Sequence, residues 1–149
     1  MATDVLTAWE WTEPVRAEDA IGGLINHTWW VLGPASERVA VLQRLNTRIF
    51  RPEVHEDIEA VTARLADRGM LTPRLVRTRS GGLWHVDGDG DVYRCLTVVG
   101  ERTVQKVSDP LEARSAARLL ARFHHAVRDL DWDFRMRRPG AHDTEAHFG

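Results

Sequence analysis

Residues 38–69 read RVAVLQRLNTRIFRPEVHEDIEAVTARLADRG, and the hydrophobic period changes once along them. The first part, 38–45, is a run of β-formers and reads as a strand. From Pro52 the apolar side chains Val54, Ile58, Val61 and Leu65 recur in steps of four, three and four, which returns them to one face of a helix. Proline suits the first helical position and Gly69 suits the stop, so the helix is expected over 52–68. Working back from this stretch, residues 23–31 are rich in β-formers after a Gly22-Gly23 break, and Gly33-Pro34 with Ser36-Glu37 supply a turn. The two runs make an antiparallel hairpin. Working forward, Leu75-Val76 starts a strand, Ser80-Gly81-Gly82 turns the chain and 83–86 returns. Asp87-Gly88-Asp89-Gly90 turns it again into a strand over 92–99. The expectation is five strands and one inserted helix up to residue 99.

A second helix follows over 110–130. Asp109 is its cap, Pro110 its first residue and Glu112 stands three after the cap. Ala113, Ala116, Leu120, Phe123, Val127 and Leu130 mark its apolar face. Residues 131–149 are poor in apolar side chains and read as irregular. The fold class is α+β, with one unit over 1–99 and a linker plus the start of another over 100–149.

Composition bounds the function. Hydrophobic residues make up 43% and charged residues 28%, enough apolar material for a core. The formal net charge is -2 and the basic residues are dispersed, which argues against nucleic acid as a partner. No apolar run has the length of a membrane helix, and the N-terminus lacks the pattern of a secretory signal. A single cysteine, Cys95, precludes a disulfide framework and suits a reducing, cytoplasmic setting.

Several constellations yield to simpler readings. Asp87, Asp89 and Asp91 resemble a calcium loop, but the positions needing Gly and Glu hold Val92 and Val98. His85-Val86-Asp87 has the His-x-Asp of a kinase catalytic loop, yet Val92 stands where the metal-binding Asn belongs. His124 and His125 are adjacent on a helix and point about 100° apart, so they do not chelate one ion. His124 lies in the apolar stripe and is expected to be packed. His142, Asp143, Glu145 and His147 read as solvated, Cys95 as a small core side chain and most of the six Trp as packing.

Read in order, the segments carry a resemblance. They are GLINHT at 23–28, VLQRLN at 41–46, IEAVT at 58–62, YRCL at 93–96, ARFH at 121–124 and PGAHDT at 139–144. The series resembles the N-acetylhexosamine 1-kinase-like branch of the aminoglycoside phosphotransferase and choline kinase superfamily, whose fold is protein-kinase-like. The resemblance implies a nucleotide-binding N-lobe and ATP as cofactor. Gly22, Gly23 and Asn26 would form the turn over the phosphates, departing from Gly-x-Gly-x-x-Gly, with an ordinary hairpin turn as the alternative. The strand that should carry a cation for the phosphates has no Lys, and Gln43-Arg44 occupies the place. Arg44 would supply the charge, or Gln43 would stand there if the register differs, and Arg44 could instead face solvent. The acid pairing with that cation would be Asp57, about 60–70° from the centre of the apolar stripe, with Glu56 as fallback and a plain solvated charge as the other reading. Leu96 to Val99 would be the hinge strand whose backbone meets adenine, with Thr97, Val98 and Val99 as its site residues.

Kinases of this group carry their general base and metal ligands in the second lobe, in segments that follow the PGAHDT match. No catalytic or metal residue is therefore assigned, and Mg²⁺ is expected only together with such a lobe. The expectation is the N-terminal part of an ATP-dependent sugar or small-molecule phosphotransferase, a truncated product or fragment inactive by itself. The alternative is a non-catalytic binding or assembly module. The acceptor is a small molecule of the full-length parent. The apolar face of the second helix, with Leu120, Phe123, Val127 and Leu130, is expected to be bare and to favour self-association.

Overall fold

The computed structural model describes residues 2–20, 24–100, 104, 106–137 and 148. In chain order the elements are α1 (Ala2–Val5), a 3-10 turn (Leu6–Ala8), β1 (Arg16–Asp19), β2 (His27–Leu32), β3 (Arg38–Arg44), α2 (Val54–Asp67), β4 (Leu75–Val76), β5 (His85–Val86), β6 (Val92–Thr97) and α3 (Pro110–Val127). Every strand pairing is antiparallel. The sheet order is β1-β2-β3-β6-β4, and β5 also pairs with β6. The chain is thus mixed α+β.

Among the described residues six strands form, where five were expected. The additional one, β1, holds Arg16, Glu18 and Asp19 in four residues, a composition with little β-propensity. It sits at the sheet edge beside β2, where charged side chains are tolerated. The expected hairpin between 75–76 and 83–86 does not form. The turn exists, with Gly81 at φ +83, but both short strands pair with the far edge of β6 instead. The neighbouring strands are shorter than expected too: β2 begins at His27 and β6 ends at Thr97.

Side chains alternate across the sheet, and its two faces differ in cover. On the packed face Val31, Leu42 and Cys95 are fully buried with Ala40 beneath Val5, Leu6 and Trp9 of the N-terminal segment. Trp9 is itself fully buried, and its indole N–H donates to the Val76 carbonyl at 2.9 Å, so the ring contributes apolar area without stranding its polar atom. Burial pushes the Cys95 thiol up to about 12, which leaves it an inert core side chain.

α2 starts at Val54, with Pro52 in the preceding turn, and ends where Gly69 takes φ +68. Its buried residues are His55, Asp57, Thr62 and Leu65, a wider arc than the expected stripe. The reason is that α2 is covered twice. His55 stacks on Trp84 and Glu59 binds Arg77 on the sheet side, while Val61 and Leu65 meet α3.

Asp109 caps α3 by accepting the Leu111 and Glu112 N–H groups at 2.6 and 2.9 Å. Glu112 reaches one residue further back than a capping box requires and accepts from Ser108. The expected apolar face divides in two. Phe123, Ala126 and Val127 pack on Val61, Leu65 and Met70, and Asp129 holds Arg64 and Arg68 at 2.6 and 2.8 Å. Leu111, Leu119 and Leu120 stay exposed. His124, expected to be packed, is exposed as well, because the contact centres on 123, 126 and 127 and residue 124 points about 100° away from 123. No helix among the described residues is long and apolar enough to cross a membrane.

Candidate functional site

The face opposite the core carries two rows of side chains running across β2, β3 and β6. Register places Trp30, Val41 and Leu96 side by side in one row. Thr28, Gln43 and Arg94 form the next, two residues along each strand, or about 7 Å away. All six are half-buried, in contrast to the closed face behind them. The first row is apolar, with the Arg38 guanidinium resting on the outer Trp30 ring at 3.9 Å. The second is polar and hydrogen-bonded along its length. Arg94 Nε donates to Gln43 Oε1 at 2.9 Å, and Gln43 Nε2 donates to Thr28 Oγ1 at 3.1 Å. β6 runs from Arg94 through Leu96 toward Thr97, so the apolar row is nearer Thr97, Val98 and Val99. The polar row is nearer the start of β2 and the chain segment before it.

α2 borders this face through His55, which is fully buried. Its Nδ1–H donates to the Pro52 carbonyl at 2.6 Å, leaving Nε2 as an acceptor with no partner among the described residues. Burial, aided by the nearby Arg94 charge and opposed by the Pro52 bond, pushes the ring's pKa down to about 4, so His55 is neutral near pH 7.

The residues expected to form a site separate in the structure. Gly22 and Gly23 lie outside the described residues. Asn26 stitches β2 to β3, its Oδ1 accepting the Asn46 N–H at 3.0 Å. Gln43 stands on the open face, and Arg44, next in the strand, stands on the other. Arg44 binds Asp91 at 3.0 Å, and that hydrogen bond raises its pKa. The expected ion pair of Arg44 with Asp57 therefore does not form. Asp57 serves a different segment: Trp132 Nε1, Arg135 N and Met136 N donate to its two oxygens at 2.8 to 3.0 Å. Burial alone would raise its pKa, but these three donors outweigh burial and hold it below the usual carboxylate range. Glu56, the fallback, binds Arg135 Nε at 3.0 Å. Thr97 is tied to Arg74 by its own N–H and by its Oγ1, while Val98 and Val99 follow the strand end.

Arg94 and His55 were not singled out in the sequence. Arg94 had a signal: a charged residue within the apolar run of β6 is uncommon unless it has a partner. His55 had none, because its burial follows from the double covering of α2. Near Arg44, a separate open hollow of about 450 Å³ is lined by His27, Asn46, Arg48 and Asp91. Among the described residues no group of three or more His, Cys, Asp or Glu side chains is placed to hold a metal. Asp87 is used as a turn carboxylate, accepting the Asp89 and Asp91 N–H groups. No family model matches the chain, and no curated protein matches it significantly.

Proposed function

We propose that this chain is the nucleotide-binding part of an ATP-dependent small-molecule phosphotransferase of the protein-kinase-like kind, and that the open face of its sheet receives the nucleotide. One observation carries the reading: the open face changes from apolar to polar along the strands. Trp30, Val41 and Leu96 offer an apolar surface to a purine, beside the strand end at Thr97, after which the backbone of Val98 and Val99 would meet the base edge. Gln43 and Arg94 offer donors to phosphates on the side toward the start of β2, with the Thr28 hydroxyl beside them. The element order agrees with the resemblance, since a helix is inserted after the third strand and the last long strand leads through a linker to another helix.

The acids of α2 beside the open face do not fit a bound Mg²⁺: Asp57 accepts three N–H groups, Glu59 is held by Arg77 and Glu56 by Arg135. The engagement of Asp57 favours a second reading, a binding module that keeps the nucleotide face without the phosphate-aligning ion pair. Both readings lead to binding without turnover.

Titration of the chain with ATP and with adenosine, followed by calorimetry and Trp fluorescence, is expected to give saturable binding of both. Trp30→Ala is expected to weaken adenosine about three- to tenfold, the loss of one aromatic contact. No saturable binding of either ligand would reject the nucleotide reading. Transfer of phosphate to a sugar by the chain alone would reject the view that its chemistry lies elsewhere.

A further inference from the structure

We infer that Arg94, and not Arg44, is the cation that takes a phosphate on the open face, with the Gln43 amide and the Thr28 hydroxyl completing an anion site. The inference rests on the nucleotide reading for its ligand, but its own basis is the environment of Arg94. Its Nε is occupied by Gln43, and this is its one hydrogen bond among the described residues. No carboxylate pairs with it among those residues, in contrast to five arginines around α2. Arg74 and Arg77 share Glu59, Arg64 and Arg68 share Asp129, and Arg135 has Glu56. Arg38, on the Trp30 ring of the same face, is exposed and keeps its hydration.

The acids of α2 that could have faced Arg94 are all committed. Asp57 is turned to 132–136, Glu56 to Arg135 and Glu59 to Arg77. What α2 presents is His55, neutral near pH 7. Partial burial lowers the Arg94 pKa with nothing to offset it. A guanidinium withdrawn from water without a counter-charge is costly. A phosphate meeting its remaining fork of N–H donors removes that cost by charge-assisted, paired hydrogen bonds. The Gln43 contact orients that fork, because an Nε fixed to Oε1 fixes the plane of the whole group.

Arg44 lacks these properties. It is exposed, paired with Asp91 and on the opposite face. Its position at the end of β3 would also set it away from a base lying on Trp30, Val41 and Leu96.

The test is titration of the 149-residue chain with ATP, adenosine and inorganic pyrophosphate, in wild type, Arg94→Gln, Gln43→Glu and Arg44→Gln. Arg94→Gln is expected to lose at least about tenfold in affinity for ATP and pyrophosphate, as for loss of a hydrogen-bonded charge, and to keep adenosine within about twofold. Gln43→Glu leaves Arg94 in place and supplies the missing counter-charge at nearly unchanged shape, so it should lose pyrophosphate to the same degree even if Arg94→Gln folds poorly. Arg44→Gln should change all three by less than about twofold. Unchanged ATP and pyrophosphate binding in both open-face variants, or a loss confined to Arg44→Gln, overturns the inference. If wild type binds pyrophosphate through Arg94 but neither ATP nor adenosine, the nucleotide reading falls and the anion site stands. If adenosine binds but pyrophosphate does not, the reading stands and the anion site falls.

Discussion

At the scale of single residues, polarity on the open face is organised around groups that the fold leaves half-satisfied. His55 is the clearest case for a pH measurement. In the unfolded chain it takes a proton near 6.5, whereas in the folded chain burial holds it off until about 4. Between those values the unfolded state binds more protons, so the folded state loses stability as pH falls through that window and has its full value above it. The difference is roughly 3 kcal/mol at most. Urea unfolding at pH 7, 5 and 4 should show this decline in wild type and a flatter profile in His55→Gln. Equal pH slopes in the two proteins would remove His55 as the cause.

At the scale of elements, α2 is held more firmly by the segment at 129–136 than by the sheet. Its first turn grips residues 132–136 through Asp57 and Glu56, and its last turn grips Asp129 through Arg64 and Arg68. The ion pairs of Glu56, Arg64 and Arg68 are largely exposed and contribute little each. Asp57, only 5% exposed, is the effective anchor because its loss strands three donors at once. Asp57→Asn is expected to cost on the order of 1–3 kcal/mol, with lost hydrogen-exchange protection at the Arg135 and Met136 amides and a shifted Trp132 emission. Retained protection at both amides would mean that the segment is held by other contacts. The same anchoring explains why a helix-borne acid expected to face the sheet faces the other way: three N–H donors from one short segment satisfy both of its oxygens, and one guanidinium on the far face of the sheet has no path to it.

For the whole molecule, the consequence is an asymmetric use of apolar surface. The packed face of the sheet and the second cluster between α2 and α3 account for most of the buried apolar side chains, while Leu111, Leu119 and Leu120 of α3 remain 57–70% exposed. Self-association was expected through Leu120, Phe123, Val127 and Leu130. Two of these, Phe123 and Val127, are used against α2, so the bare patch lies nearer the start of the helix. Sedimentation should detect association that grows with concentration and is suppressed in a Leu119→Glu, Leu120→Glu variant. A monomer at high concentration that binds no hydrophobic dye would sink this prediction.

Local pattern alone determined the elements that depend on neighbours in sequence. The strand over 38–45, the helix ended by Gly69, the turns at 80–82 and 87–90 and the Asp109 cap follow from side-chain period, backbone freedom and the capping carboxylate, all acting over a few residues. That Gln43 and Arg44 take opposite faces was legible, because strand alternation leaves only a choice of face. Tertiary structure decided the rest. β1 exists because β2 offers it an edge, and its own charged residues carry no strand signal. β4 and β5 part because β6 has room for both along one edge, a competition between long-range pairings that neither short segment encodes. Which face Arg44 and Arg94 occupy depended on the pairing register and on the face that the N-terminal segment covers, and the partners of Asp57 and Arg44 depended on where residues 132–136 and Asp91 come to rest. Ion pairs and hydrogen bonds form between groups distant in sequence, and a charged side chain has several possible partners until the packing of strands and helices leaves one within reach.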